Sequence, residues 1–165
     1  MKKPDNAFPQ DYLHNVLKGK VGTLFDDFDL EINEGVYKYN THLGRYVYQT
    51  TFPNLGPHEV SCEIDVLNLE VIFFNDLNQQ SPSQDVELPE PVILKIAPPI
   101  YNKLTGSHIP DDAQFKGMIP QKDPISGHRN YEGRWERVDI AGDYISITIN
   151  PVTIKVFNFV KKWRE

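Results

Sequence analysis

Two segments set a histidine among glycine and hydrogen-bonding side chains: Thr105-Gly106-Ser107-His108-Ile109-Pro110-Asp111-Asp112 and Ser126-Gly127-His128-Arg129-Asn130-Tyr131-Glu132. Histidine changes charge near neutral pH, and a loop that surrounds it with polar groups suits acid–base work or capture of a polar ligand. The candidate ligand-binding residues are therefore His108, Asp111, Asp112, His128, Arg129 and Tyr131. Glycine, serine and aspartate are also the ordinary residues of polar turns, so the same segments fit two structural turns. Their spacing matches no metal signature, and no cysteine joins them.

Two further clusters have chemical potential. Asp27, Asp29 and Glu31 share one face if they lie on a strand, and three carboxylates suit a hard divalent cation, but no glycine-centred calcium loop surrounds them. A solvated strand face accounts for them as well. Cys62 lies near His58-Glu59, a pairing that would activate a thiol. Its i±2 neighbours Val60 and Ile64 place it on an apolar strand face, where a thiol is buried and inert. There is no Gly-x-Ser-x-Gly elbow and no glycine-rich phosphate loop. These residues leave a catalytic set unassigned, and no metal site or cofactor is expected.

Composition narrows the classes. The 165 residues fit a single domain, residues 1–165, with 39% hydrophobic and 12% aromatic content. A net charge of −6 repels phosphate backbones, which argues against nucleic acid. No apolar run approaches the roughly 18 residues of a membrane span, and the basic start Met1-Lys2-Lys3 lacks the apolar stretch of a signal peptide. A single cysteine, Cys62, excludes an internal disulfide and suits the cytoplasm.

Periodicity supplies the elements that must position these groups. Phe8 to Gly19 has the spacing of a helix, with Tyr12, Leu13, Val16 and Leu17 on one face and Gly19 as its stop. Strands follow through Phe28, Leu30 and Ile32, then Val36–Tyr39 and Arg45–Phe52 around a turn at Asn40–Gly44. Val60–Val66 alternates and runs on into the apolar Leu67–Phe74, and Pro91–Ile96 supplies one more strand before Pro98-Pro99. Tyr101–Glu132 shows little periodicity and is expected to be one long ordered loop, anchored by Tyr101, Ile109, Phe115, Met118, Ile119 and Ile125. The last three strands are Arg134–Ile140, Tyr144–Ile149 and Val152–Phe157, the first pair joined by Ala141-Gly142-Asp143. No internal repeat is visible. The expected fold is mainly β: an antiparallel sandwich or barrel of about eight strands, with one short N-terminal helix and the long loop before the last three strands.

For function, the leading expectation is a non-enzymatic binding or protein-interaction domain. Tyr46, Tyr48, Tyr101, Tyr131 and Trp163 would anchor a protein partner or small ligand. The alternative is a small enzyme or ligand-binding barrel using the histidine-containing loop 105–131. Single-stranded nucleic-acid binding comes third, supported by the aromatics and opposed by the charge. Whether the two histidine segments converge on one pocket separates the first two.

Overall fold

The computed structural model describes residues 3–27 and 29–164. Helix α1 (Gln10–Phe25) leads into β1 (Val36–Asn40), β2 (Arg45–Phe52), β3 (Val60–Asp65) and β4 (Val71–Asp76). A 3-10 turn at Leu77–Gln79 precedes α2 (Glu90–Thr105), β5 (Ala113–Lys122), β6 (Arg129–Arg137), β7 (Tyr144–Asn150) and β8 (Lys155–Lys162). All eight strands form one antiparallel sheet in the order β1-β2-β3-β4-β8-β7-β6-β5, and it does not close into a barrel. The sandwich-or-barrel expectation is thereby corrected to a single sheet whose second layer is helical. Among the described residues no helix is long and apolar enough to cross a membrane.

Both helices are longer or newer than the sequence suggests. In α1 the stripe Leu13, Leu17, Val21 repeats every fourth residue, and each side chain is fully buried. That burial carries the helix through Gly19 to Asp26, which caps it in the left-handed conformation at φ 54°. Helix α2 replaces the strand expected at Pro91–Ile96. Ile93, Ala97, Tyr101 and Leu104 are fully buried on one stripe, whereas Pro98 and Pro99 sit on the exposed side. Each interior proline costs about 3 kcal/mol. Three large apolar side chains, at about 1.5–3 kcal/mol each, offset that loss.

The expected loop 101–132 resolves into the end of α2, a short connection and the β5–β6 hairpin. Strand β5 escapes periodicity because it is an edge strand, largely exposed, with Pro120 within it and a register shift between Phe115 and Gly117. Val60–Phe74, read as one continuous strand, is two strands joined by a tight turn at 66–70. The expected strand through residues 28–32 is absent among the described residues, and Phe28 lies outside them. The final strand is displaced to Lys155–Lys162, because residues 151–154 form a turn. Strand β7 fits its reading closely. Ile145, Ile147 and Ile149 face the helices with no exposed surface, opposite Ser146, Thr148 and Asn150.

The architecture is two copies of one unit, a helix followed by a four-strand meander, joined where Phe74 faces Phe159 across β4 and β8. The repeat extends to the turns. Pro9 and Pro89 cap the two helix starts, both in extended conformation. In the β1–β2 turn Asn40 Oδ1 accepts from Leu43 N–H, and Gly44 N–H donates to Asn40 O. In the β5–β6 turn Asp123 Oδ2 accepts from Ser126 N–H, and Gly127 N–H donates to Asp123 O. The glycines sit at φ 67° and 74°, a conformation that other side chains resist. Asp65 Oδ1 accepts two turn N–H groups before Leu69 at φ 64°, and Asn150 Oδ1 does the same before Ile154 at φ 57°. Even the β-bulges correspond, at Ile72 in β4 and at Phe157 in β8.

Candidate functional site

The structure distributes the six sequence-selected residues over three places. His108, Asp111 and Asp112 lie exposed between α2 and β5, where Asp112 pairs with Arg137 at 2.9 Å. His128 and Arg129 lie at the other end of the β5–β6 hairpin. The ten residues of β5 separate the two groups by about 30 Å of extended chain. The two histidine segments therefore do not converge. His128 and Arg129 do meet Asp85, Pro120 and Lys122 around a shallow hollow, where Arg129 binds both carboxylate oxygens of Asp85 at 3.0 and 3.1 Å. Those contacts hold the Asp85 carboxyl below its usual range. Tyr131 is 3% exposed and packs with Leu88, Ile93 and Ile149 beneath α2.

The other candidates are placed as clearly. Cys62 is buried in the main core, and that burial pushes its thiol pKa up. Asp27, Asp29 and Glu31 are exposed, and among the described residues no three histidine, cysteine or acidic side chains are arranged to hold a metal. Of the five aromatic anchors, Tyr48, Tyr101, Tyr131 and Trp163 are core residues, and only Tyr46 is exposed, edge-on to Tyr39 at 5.1 Å. His14 Nε2 lies 2.9 Å from the Tyr48 hydroxyl, which also accepts from Gly35 N–H. Burial, only partly opposed by Asp11, lowers the His14 pKa.

The face of the sheet turned away from the helices is where polar groups gather. Register places Asn75, Asn158, Thr148 and Glu132 side by side across β4, β8, β7 and β6, and Gln121 and Asn130 opposite each other on β5 and β6. With Leu77, Gln80, Lys122, Asp123, Pro124 and Phe157 they line a cleft of about 410 Å³. Gln121 Nε2 donates to Glu132 Oε1 at 3.0 Å, and the Ser146 hydroxyl donates to Glu132 Oε2. Asn158 Nδ2 donates to Asn75 Oδ1 at 3.2 Å. Asn130 is 3% exposed and donates through Nδ2 to Gln80 O at 2.6 Å, while its Oδ1 has no protein partner. Burial opposes ionisation of Asp123, but the Ser126 N–H and the Ser81 and Ser126 hydroxyls outweigh it and hold this carboxyl below its usual value.

Sequence reading set Asn130 and Glu132 within the second histidine segment without choosing them as binding residues, and passed over Asp123 and Thr148. Their signal is the alternation Asn130, Glu132, Arg134 against Tyr131, Gly133, Trp135, a polar face on a strand whose other face is core. No known protein family, curated protein or solved structure matches this chain.

Proposed function

We propose that this protein is a non-enzymatic binding domain that receives a ligand or partner on the helix-free face of its sheet. The supporting observation is the 410 Å³ polar cleft on that face, built by strands from both repeats. Binding sites favour such concavities with a few convergent polar groups. The candidates for acid–base or thiol chemistry read from the sequence do not meet: Cys62 is buried, and His108 and His128 stand at opposite ends of β5. A cytoplasmic setting suits the single free thiol.

A thermal-shift screen of polar metabolites and short peptides tests the reading, using the wild-type chain and Asn158→Arg, which places a long cation at the centre of the face. Compounds that raise the melting temperature of the wild type and not of the variant support it. Hits that stabilise both chains equally, or conversion of any hit to product, overturn it.

A further inference from the structure

The two repeats carry corresponding hollows, and the side chains that floor them differ. The turn and strand register make Lys38, Tyr39, Asn40, Thr41, Val47 and Glu63 the counterparts of Gln121, Lys122, Asp123, Pro124, Asn130 and Thr148. Both sets line hollows, of about 230 Å³ in the first repeat and 410 Å³ in the second. In the first repeat Leu43, Val47 and Ile72 form a small closed core, 8%, 0% and 4% exposed. Their counterparts are Ser126, Asn130 and Phe157. The fold therefore accepts leucine and valine here, and in the second repeat a hydroxyl and a carboxamide stand in their place. One consequence is a buried acceptor, Asn130 Oδ1, with nothing in the protein to bind it.

From this asymmetry the geometry points to the second-repeat cleft as a site for a small cationic hydrogen-bond donor, a guanidinium or primary ammonium group. This rests on the binding-domain reading and names the ligand class for the same face. The unpaired Asn130 oxygen requires a donor. Asp123 and Glu132 outweigh the single cation Lys122 on the cleft wall, so a positively charged donor is favoured over a neutral or anionic one. Phe157 and Leu77 supply the apolar wall against which a flat guanidinium or a methylene chain packs. Such a group reaches the cleft as a free small molecule or as the end of an arginine or lysine side chain in a peptide.

The test is a ¹H–¹⁵N NMR titration of the full chain with methylguanidinium, n-butylammonium, a blocked Gly-Arg-Gly peptide and, as the neutral donor, glycerol. Saturable shifts of the Asn75, Asn130 and Asn158 side-chain amides with a cationic probe, at least tenfold tighter than with glycerol, are expected. Tighter binding of the peptide than of methylguanidinium assigns the donor to a protein side chain, and the reverse assigns it to a free compound. Two variants copy the first repeat into the second: Glu132→Gln, with the residue found at Gln49, should weaken cation binding about tenfold, and Ser126→Leu with Asn130→Val should abolish it. Preserved amide spectra and melting show that both variants fold. Absence of saturable shifts, or cation binding unchanged in the folded double variant, overturns the assignment. If the thermal-shift hits are then neutral or anionic and still vanish in Asn158→Arg, the binding face stands and only its ligand class is wrong.

Discussion

Replacing Asp143 by asparagine should remove a single charge on which three separated parts of the chain converge. Asp143 is 1% exposed at the start of β7. Its carboxylate accepts from Arg164 N–H at 3.0 Å, Arg164 Nε at 2.7 Å and Arg137 Nη1 at 3.0 Å, and it lies 3.3 Å from His42 Nε2 in the β1–β2 turn. Arg137 also donates to the Arg164 carbonyl and lies over the Trp163 ring at 4.9 Å, so Trp163 and Arg164 are pinned here. Hydrogen bonds to charged groups contribute about 1.5–3 kcal/mol each, which gives about 3–6 kcal/mol for the two guanidinium contacts. Arg137 and Arg164 are 18% and 42% exposed and rehydrate when released, so about 2–4 kcal/mol is the expected loss. With a urea dependence of about 2 kcal/mol/M, the unfolding midpoint at pH 7 should fall by about 1–2 M. Tryptophan fluorescence from Trp135 and Trp163 follows it.

The pH dependence has a definite sign. Burial alone would raise the Asp143 pKa, but the Arg164 N–H and the two guanidiniums more than reverse it, so the folded value is depressed. The stabilisation is therefore complete above the unfolded carboxylate value of about 4 and is lost as pH falls through the folded value below it. The wild type and Asp143→Asn should differ fully at pH 7 and converge in acid. A midpoint change under about 0.3 M at pH 7, or a gap that persists undiminished at pH 2–3, refutes the reasoning.

Ile147→Asp buries an unpaired charge under the helices and should abolish cooperative unfolding in urea, whereas Thr148→Asp, 8% exposed but among the polar side chains of the helix-free face, should cost less. Equal losses would mean that both faces of β7 are core. Cys62 should resist a thiol reagent in the native state and react fully in denaturant, because it is 1% exposed; rapid native labelling contradicts that. Gly133→Ala should destabilise by about 1–3 kcal/mol in a thermal melt, since the new methyl would come within 2.8 Å of Ile93 Cδ1 and 3.2 Å of the Trp135 ring. An unchanged melting temperature would mean that α2 yields at this contact.

Some of this fold is written in period-two patterns and some is not. Strands β2, β3 and β7 alternate because one face meets the helices and the other meets polar side chains, so their place in the sequence is plain. Helix α2 is hidden because Val92, Ile93 and Ile96 favour strands and Pro98-Pro99 suggests a stop, yet its buried stripe overrides both. The β5–β6 hairpin is hidden because an exposed edge strand with a bulge leaves no alternation to read. Within the candidate site, the segment 126–132 was conspicuous for His128 and Arg129. Those residues line the hollow beside Asp85, whereas Asn130, which holds the unpaired oxygen, lines the separate polar cleft.

The repeat is legible only in three dimensions because conformation, not residue identity, is what its copies share. Asn40 and Asp123 both close a turn with a side-chain oxygen, and so do Asp65 and Asn150; either residue type performs that task equally well. Leu69 and Ile154 even hold the same left-handed backbone, at a cost of about 1–2 kcal/mol each. Against that shared frame the difference between Val47 and Asn130 has energetic meaning. Flooring the first hollow with leucine and valine gains about 1.5–3 kcal/mol per buried side chain. Placing serine and asparagine in the second forgoes that gain and adds about 1–3 kcal/mol for an unsatisfied buried oxygen. A protein of ordinary stability, about 5–15 kcal/mol in total, gives up a large fraction of it at this one place. Local choices that disagree with an otherwise consistent fold are the mark of a functional site. Ser126→Leu with Asn130→Val should therefore leave the chain about as stable as the wild type in urea, the new apolar burial offsetting three lost bonds: Asn130 Nδ2 to the Gln80 carbonyl, His128 N–H to the Ser126 hydroxyl, and the Ser126 hydroxyl to Asp123. A fall of more than about 2 kcal/mol would show that Asn130 is a strut, and that the second hollow is polar because the chain there needs the amide.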